Sequence, residues 1–177
     1  MSRKPRIWYP GATYHIYKRG NRRSDLFHDN SDRYKYFNLL ADTKQRYPFT
    51  LHSYCLMTNH IHLLLQTDQH NIGLIMQDLN FRYAIYFNKK YSLEGHVFQN
   101  RYGSSLITSD AKFLNIGKYI HLNPSEAKMV KKPENYKWSS YHYYVTNTPN
   151  QLITKQKTLS YFSAPQIENF RRFTMEP

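Results

Sequence analysis

The pattern of apolar and polar positions along the chain predicts several short β-strands. Residues 13–21 mix β-branched and aromatic side chains and then break at a Gly-Asn pair, which favours a strand followed by a basic loop. Residues 49–59 and 60–67 are apolar runs joined by a tight connection at Thr58–Asn59, so we expect them to pair as a hairpin. A further short strand is predicted at residues 105–108.

Longer segments carry apolar residues at the spacing of an amphipathic α-helix. Residues 30–47 show this spacing, with Asn30 or Ser31 as the expected N-cap, and the helix should end before Pro48. Residues 71–91 form a second, longer amphipathic segment. Both segments alternate with the predicted strands along the chain.

The last part of the chain is predicted to be helical. Residues 110–123 form a third helix, which Ser109 should cap and Pro124 should end. Only short pieces of helical character follow. We therefore predict a principal domain over residues 1–124 and a C-terminal helical appendage over residues 125–177 that belongs to the same domain.

The order of these elements is β-α-β-β-α-β followed by a helix. This order predicts an α+β protein with the ferredoxin-like arrangement, also called the split βαβ or RRM-like arrangement. It has an antiparallel sheet with helices on one face, and its first and third strands are central. The strand over residues 60–67 should therefore be buried in the middle of the sheet.

Net charge indicates the class of partner. The 177 residues include 25 Lys and Arg against 12 Asp and Glu, a formal net charge of +13, and the basic residues recur along the whole chain. Such a surface attracts polyanions, most commonly nucleic acid, although a basic protein tuned only for solubility is the alternative. The candidate phosphate contacts are Arg3, Lys4, Arg6, Arg19, Arg22 and Arg23, each of which could instead be a solvated charge.

The remaining composition indicates the compartment. The single cysteine, Cys55, lies in a predicted strand, where burial as a reduced thiol is expected. No apolar run approaches membrane-spanning length, and the basic N-terminus lacks the apolar segment of a signal peptide. We therefore expect a soluble, cytoplasmic protein that does not associate with a membrane.

Two histidines, His60 and His62, open the predicted central strand. Alternate side chains of a strand share a face, so the two imidazoles should stand side by side. Such a pair either holds a metal ion or is packed for structural reasons. On the spacing alone the structural explanation is the more common one.

The third predicted helix offers partners for this pair. Asn115, Tyr119 and Asn123 are four residues apart and share one helix face, whereas His121 points about 200° away from Tyr119. The Tyr119 hydroxyl could act as a nucleophile, and the Asn123 amide oxygen could be a third metal ligand. Alternatively, Tyr119 closes the edge of the core and Asn123 caps the helix. His15, Gln66 and His121 could also approach an ion, with His15 more naturally a supporting group.

Several sequence blocks together resemble the REP-associated tyrosine transposases, a branch of the single-tyrosine HUH transposases. The blocks, in order, are RKPRIWYPGATYHIYKRGN, LHSYCLMTNHIHLLLQT, GHVFQNRY, KYIHLNP and YKWSSY, and they cover nearly the whole chain. The most specific pair is NHIHLLL followed later by YIHLNP. Arg101, in the third block, joins the candidate nucleic-acid contacts.

The resemblance implies that residues 1–124 form an HUH catalytic domain, in which His60 and His62 hold Mg²⁺ or Mn²⁺. Tyr119 would be the catalytic tyrosine and Asn123 the amide ligand of the ion. Such enzymes cleave and rejoin single-stranded DNA next to REP-type hairpins through a 5′-phosphotyrosine, without ATP. Whether the protein is a monomer or a homodimer, and whether tyrosine and histidines meet within one chain, is left open by the sequence.

Two other classes of function are alternatives. A catalytically inactive, RRM-like module that binds hairpin nucleic acid would keep the scaffold and would tolerate loss of Tyr119. A zinc hydrolase that activates water would need a carboxylate near the histidines, and Asp68 lies six residues after His62.

Overall fold

A computed structural model describes residues 7–146 and 148–176 of the chain. The strands are β1 (Thr13–Arg19), β2 (Phe49–Leu56), β3 (His60–Thr67) and β4 (Gly103–Leu106). The helices are α1 (Asn30–Arg46), α2 (Ile72–Tyr91), α3 (Asp110–Glu126), α4 (Tyr141–Val145), α5 (Gln156–Ser160) and α6 (Gln166–Met175). Short 3₁₀ turns lie at Asn21–Arg23 and Pro133–Asn135.

The strands form one antiparallel sheet in the order β2-β3-β1-β4. The predicted α+β, ferredoxin-like arrangement is confirmed, with the first and third strands in the centre. The predicted hairpin of β2 and β3 is also present, and Met57 closes its turn by donating a hydrogen bond to the His60 carbonyl at 2.9 Å. Cys55 is fully buried in β2, as expected.

Helices cover both faces of the sheet, so the prediction of helices on one face holds for α1 and α2 but not for α3, which packs on the opposite face. On one face α1 packs against β2, where the rings of Phe37 and Tyr54 lie 5.0 Å apart, and α2 packs beside α1. On the other face α3 approaches closely at Gly117, where an added Cβ would lie 3.7 Å from Ser53 Oγ and 3.9 Å from Leu64 Cδ2. Because alternate residues of β3 share a face, α3 lies on the same side of the sheet as the two histidines.

Helix α3 passes through Pro124 and ends at Glu126, so the prediction that this proline ends the helix is wrong. Proline lacks the N–H that would bond to the carbonyl four residues earlier, but its φ angle is helical. The next turn stays closed because the Ala127 N–H donates to the Asn123 carbonyl at 2.9 Å and Ser125 Oγ donates to the Leu122 carbonyl at 2.8 Å. Asn123 is therefore held on the helix.

Strand β4 begins at Gly103 and ends at Leu106, two residues earlier than the predicted 105–108. Gly103 lies directly opposite Tyr17 of β1 in the sheet register. The strand can start there because glycine has no side chain to collide with the Tyr17 ring. After Leu106 a single bond, from the Ile107 N–H to the Thr13 carbonyl at 2.8 Å, continues the pairing.

The N-terminus of α1 is capped by Asp29 rather than by Asn30 or Ser31. Asp29 Oδ1 accepts from the Asp32 N–H at 3.1 Å, and Asp32 Oδ2 accepts from the Asp29 N–H at 3.2 Å, a reciprocal capping box. The Asp32 carboxylate is fully buried and also accepts from Lys90 at 2.7 Å, Tyr91 at 2.7 Å and Tyr86 at 2.9 Å. These bonds fasten the start of α1 to the end of α2.

Replacing Asp32 with asparagine is expected to lower the free energy of unfolding by about 2–4 kcal/mol at neutral pH, because the Lys90 ammonium loses its buried partner. Burial by itself raises the pKa of Asp32, but the hydrogen bonds from Lys90, Tyr91 and Tyr86 lower that pKa overall. A carboxyl with a lowered pKa stabilises the fold above its unfolded-state pKa of about 4, and this stabilisation is lost as the pH falls through the folded-state value.

Urea unfolding at several pH values tests this expectation. The difference between wild-type and Asp32→Asn should be largest at neutral pH and should narrow below about pH 4. Asp42→Asn is the matched control, because that carboxylate is 53% exposed and pairs with Arg82 at the surface. A constant difference across the pH range would mean that the pattern of hydrogen-bond acceptors, not the charge, makes Asp32 important.

Residues after α3 fold back onto that helix. The buried His121 ring of α3 lies among the rings of Tyr141, Tyr144 and Phe170, at 5.3, 5.3 and 6.0 Å. Its Nε2 lies 2.8 Å from Ser140 Oγ, which in turn accepts from the Tyr54 N–H at 3.0 Å. The C-terminal residues therefore connect α3 to strand β2. Within the described residues, no helix is both long and apolar enough to cross a membrane.

Candidate active site

Tyr119 of α3 and the two histidines of β3 lie together within one chain. The rings of His60 and His62 are 5.1 Å apart at an interplanar angle of 87°. The Tyr119 ring lies 5.4 Å from the His62 ring at 83°, in an edge contact. Tyr119 is 41% exposed, so a ligand in solvent can reach it. The proximity follows from the docking of α3 on the histidine face of the sheet.

His62 is held by a buried histidine on the neighbouring strand. His15 Nε2 lies 3.0 Å from His62 Nδ1, and the two rings stack at 5.2 Å. Both side chains are buried in the sheet. Because Nδ1 of His62 is engaged by His15, its Nε2 is the nitrogen left for a ligand.

His60 is held by the residue before it. Asn59 Oδ1 lies 2.7 Å from His60 Nδ1, and Asn59 Nδ2 donates to the Arg23 carbonyl at 3.2 Å. An amide oxygen only accepts, so His60 Nδ1 must carry the proton, and Nε2 of the neutral ring has a free lone pair. Asn59 also joins the loop after β1 to the histidine, since its carbonyl accepts from the Gly20 N–H at 2.9 Å.

The three histidines are neutral at physiological pH. Burial lowers the pKa of His62 to about 3, and electrostatic interactions with His15, His60 and Arg19 lower it further. Burial and the charge of Lys112 lower the pKa of His15 to about 4. The pKa of His60 is also lowered, mainly by burial and then by Arg19. A neutral imidazole is the form that binds a metal ion.

Asn123 lies one turn after Tyr119 and is directed to the same site. Its Nδ2 donates to the Tyr119 carbonyl at 3.0 Å, which satisfies a carbonyl near the end of the helix. Its side chain also interacts with His60, and this interaction raises the pKa of His60 against the effect of burial. Both proposed roles of Asn123, helix capping and ligation, are therefore compatible with its position.

The donor set fits a divalent cation. It comprises two imidazole nitrogens and an amide oxygen, donors that suit Mn²⁺ and leave coordination positions for phosphate oxygens. In the described part of the chain, no three residues of the His, Cys, Asp or Glu type are grouped so that they could hold a metal ion. A zinc site with a carboxylate base therefore has no candidate among the described residues.

A cleft opens beside the histidines on the uncovered part of the sheet. Its lining residues are Tyr17, Lys18, Arg19, His60, His62, Gln99, Asn100, Arg101 and Gly103. None of these lining residues is acidic. Lys18 Nζ donates to the Asn100 carbonyl and lies over the Phe98 ring, which holds the loop before β4 against β1. The cleft is therefore positively charged and suits a polyanion.

Comparison with known proteins gives the family. Residues 9–123 match the family model described as Transposase IS200 like, which is more than half of the chain and runs from before β1 to Asn123. The chain belongs to the family of IS200-like transposases. The matched segment contains His60, His62, Tyr119 and Asn123.

Individual relatives narrow the resemblance. A Haemophilus influenzae protein named as a REP-associated tyrosine transposase is 30% identical in an alignment 112 residues long, which covers 56% of this chain and 63% of that protein. The aligned segment thus spans less than two thirds of that relative. A solved structure of a REP-associated tyrosine transposase bound to a REP hairpin superposes with a TM-score of 0.71 at 17% identity, over 87% of this chain and 98% of the other. The resemblance seen in the sequence blocks is confirmed, and the shared fold with it.

The predicted DNA contacts are distributed unevenly over the chain. Arg19 and Arg101 line the cleft. Arg22 and Arg23 are exposed on the adjoining turn, with left-handed φ angles of 52° and 62°, and are not among the lining residues. The N-terminal candidates Arg3, Lys4 and Arg6 lie outside the described residues. The role of each residue in binding DNA stays a prediction.

Other side chains considered from the sequence are also placed. His121 points away from Tyr119 into the C-terminal helices, as its helical position required. Gln66 contacts His52 at 3.2 Å and donates to the Gly11 carbonyl at 3.1 Å, away from the histidine pair. Sequence reasoning missed Asn59 and Tyr17. The signal for Asn59 was its position directly before His60; Tyr17 had no comparable signal.

Proposed function

We propose that this transposase cleaves and rejoins single-stranded DNA next to REP-type hairpins, with Tyr119 as the nucleophile and a 5′-phosphotyrosine as the covalent intermediate. His60, His62 and Asn123 would hold one Mg²⁺ or Mn²⁺ ion. The observation that carries the proposal is the 5.4 Å contact between the Tyr119 and His62 rings within one chain. A phenol, two neutral imidazoles and a cationic cleft together match phosphodiester transfer better than binding alone.

The reaction would be an in-line displacement at phosphorus. The Tyr119 hydroxyl loses its proton and forms the new O–P bond, the bond between phosphorus and the 3′ oxygen breaks, and that oxygen leaves as a protonated 3′-OH. Because the phosphotyrosine conserves the energy of the broken ester, another 3′-OH can reverse the step without ATP. The edge contact of Tyr119 with His62 orients the phenol towards the site.

A divalent cation, when bound, polarises the scissile phosphate and stabilises the charge that develops on it. The protein's own contribution is to orient the ligands beforehand. Asn59 and His15 each engage an Nδ1 atom, so both imidazoles present Nε2. Such supporting hydrogen bonds fix the tautomer and ring direction of metal-binding histidines.

The proposed DNA substrate is supported by the cleft and by the relatives. The solved relative is a REP-associated tyrosine transposase bound to a REP hairpin, and its fold is shared by this chain. Arg19 and Arg101 place positive charge beside the histidines, where a DNA backbone would pass. We expect phosphate contacts there and, on the adjoining turn, from Arg22 and Arg23.

The test is the polarity of the covalent adduct. Hairpins with random single-stranded flanks are incubated with the wild-type protein and Mn²⁺, and the strands that the protein cleaves are selected. These strands are then prepared with a label at the 3′ end or at the 5′ end, incubated again and separated on a denaturing gel. The 3′-labelled strand should migrate as a protein adduct, and the 5′-labelled strand should be shortened with an extendable 3′-OH. An adduct on the 5′-labelled fragment, or no adduct from any hairpin in the pool, would refute the proposal.

Replacing Asn59 with alanine is expected to weaken Mn²⁺ binding by about tenfold or more, because His60 loses the acceptor that fixes its tautomer. Isothermal titration of the protein with Mn²⁺ measures the affinity without any DNA. Long-range ¹H–¹⁵N correlation spectra of the metal-free protein should show the Nδ1–H tautomer of His60 in the wild type and a mixture in Asn59→Ala.

Two variants control this experiment. Asn59→Asp keeps an acceptor oxygen next to Nδ1 and should retain Mn²⁺ affinity, whereas Asn38→Ala removes an exposed amide on α1 and should change nothing. Unchanged Mn²⁺ affinity and an unchanged His60 tautomer in Asn59→Ala would show that the hydrogen bond does not position the histidine.

A further inference from the structure

Tyr17 of β1 is exposed although its strand is central. The side chain is 49% exposed, and in the sheet register it lies directly opposite His62 on β3 and Gly103 on β4. Residues opposite one another on antiparallel strands point to the same face. Tyr17 therefore stands beside the histidine pair, on the part of the face that α3 leaves open.

Gly103 supports the Tyr17 ring from below. A Cβ built on Gly103 would lie 2.0 Å from Tyr17 Cζ, 2.2 Å from Cε2 and 2.5 Å from Cε1. Three short and similar distances mean that this point lies under the ring face and not beyond the ring edge. One face of the phenol is thus pressed against the strand, and the exposed surface of the side chain includes the other face.

The His15 ring borders the phenol on a second side. The centroids of His15 and Tyr17 are 5.8 Å apart at 47°. His15 is itself fixed by its hydrogen bond to His62. The Tyr17 ring is consequently a flat surface that is already oriented beside the proposed nucleophile site. Because the ring is held in place, its side chain loses little conformational entropy when a ligand binds.

The charges around this ring identify the class of ligand. Tyr17 lines the same cleft as Arg19 and Arg101, and the described residues lining that cleft include no carboxylate. A planar aromatic face next to guanidinium groups is the combination that binds single-stranded nucleic acid, where the base stacks and the cations contact the backbone. Tyr14 and Tyr54, which pack in the core, are buried, whereas Tyr17 is half-exposed and lines the cleft.

We propose that Tyr17 is a stacking platform for an unpaired base of the DNA strand that enters the site, while Arg19 and Arg101 contact the phosphates on either side. The platform defines the substrate as a hairpin with a single-stranded extension rather than a closed duplex. The assignment rests on the proposed function for its DNA substrate, but stacking itself requires neither the metal ion nor cleavage.

The experiment uses the full chain in EDTA with hairpins that carry a short single-stranded extension on either arm. 2-Aminopurine is placed at each extension position in turn, because its fluorescence is quenched when it stacks on an aromatic ring. At one position, the wild-type protein and Tyr17→Phe should quench the 2-aminopurine fluorescence. Tyr17→Leu should leave the fluorescence at that position unquenched. Affinity for the extended hairpin should fall about tenfold in Tyr17→Leu, the loss of one stacked base.

A blunt hairpin and a second tyrosine provide the controls. Affinity for the blunt hairpin should be the same in all variants, which also reports that they are folded. Tyr34→Leu removes a ring that is likewise 49% exposed but lies against Trp138, 5.3 Å away, and should leave the quenching unchanged. Gly103→Ala, which displaces the Tyr17 ring, should reproduce the effect of Tyr17→Leu.

The outcomes separate this proposal from the proposed function. Quenching and affinity in Tyr17→Leu that equal the wild type would refute the platform, whatever the cleavage result. An equal loss in Tyr17→Phe would show that the hydroxyl, not the ring face, binds DNA, and would also refute it. Tyr17-dependent quenching without any covalent adduct from the wild type would support the platform and refute the cleavage reaction.

Discussion

Tyr119→Phe is expected to form no covalent adduct with single-stranded DNA and to bind hairpins as tightly as the wild type. Phenylalanine keeps the ring contacts with His62 and His15, at 5.4 and 5.9 Å, and removes only the attacking oxygen. Loss of a nucleophile that acts together with other groups costs on the order of 10⁴-fold in rate or more. A denaturing gel measures the adduct, and fluorescence anisotropy in EDTA measures the binding.

Other tyrosines test whether this loss is specific. Tyr17→Phe removes the phenol that lies opposite His62 in the sheet, and Tyr34→Phe removes one on α1; both proteins should form the adduct at about the wild-type rate. Persistence of the adduct in Tyr119→Phe, together with its loss in Tyr17→Phe, would transfer the nucleophile to Tyr17. Normal hairpin binding by a wild-type protein that never forms an adduct would favour the inactive, RRM-like binding module.

His60→Ala is expected to reduce cleavage by about 10³-fold or more while hairpin binding and its salt dependence stay largely intact. His60 is one of the two imidazoles proposed to hold the ion, so the affinity for Mn²⁺ should fall in this variant. In the proposed complex, binding to the hairpin would come mainly from cations such as Arg19 and Arg101, which line the cleft, would release counterions from the DNA and would give a steep dependence on salt.

The measurement is a salt titration of hairpin affinity beside a cleavage assay in Mn²⁺. His96→Ala is the matched control, because His96 is exposed on the loop before β4 and should leave both activities unchanged. An equal fall in cleavage and in binding in His60→Ala would mark this histidine as a structural residue of the sheet. That result would remove the metal from the proposed mechanism.

Much of the fold could be predicted because each strand and helix has a clear local pattern. The run HIHLLLQT of β3 has an apolar centre that is buried on both faces of the sheet, as expected of a central strand, and its pairing with β2 follows from the short turn at residues 58–59. The spacing of Tyr119 and Asn123 was also sufficient to place both on one helix face. These features depend on neighbouring residues only.

The features that were missed depend on how distant segments are aligned. The apolar stripe of α3 predicts that one side is buried but not which face of the sheet it covers; that is decided where Gly117 meets Leu64. The predicted last strand covered residues 105–108 and left Gly103 in a loop. The pairing of Gly103 with Tyr17 therefore could not be predicted. The role of Asn59 depends on the Arg23 carbonyl, which a left-handed turn brings within reach.

The anchoring of α3 has a consequence for the exchange of DNA ends. Gly117 seats the helix on the sheet, and His121, two residues after Tyr119, is enclosed by the C-terminal helices. Because α3 is fixed on both sides, we expect Tyr119 to keep its position after it has formed the bond to DNA. If the chain works as proposed, the DNA ends must move instead: the released 3′-OH has to leave the site, and the incoming 3′-OH has to reach a phosphotyrosine that stays in place.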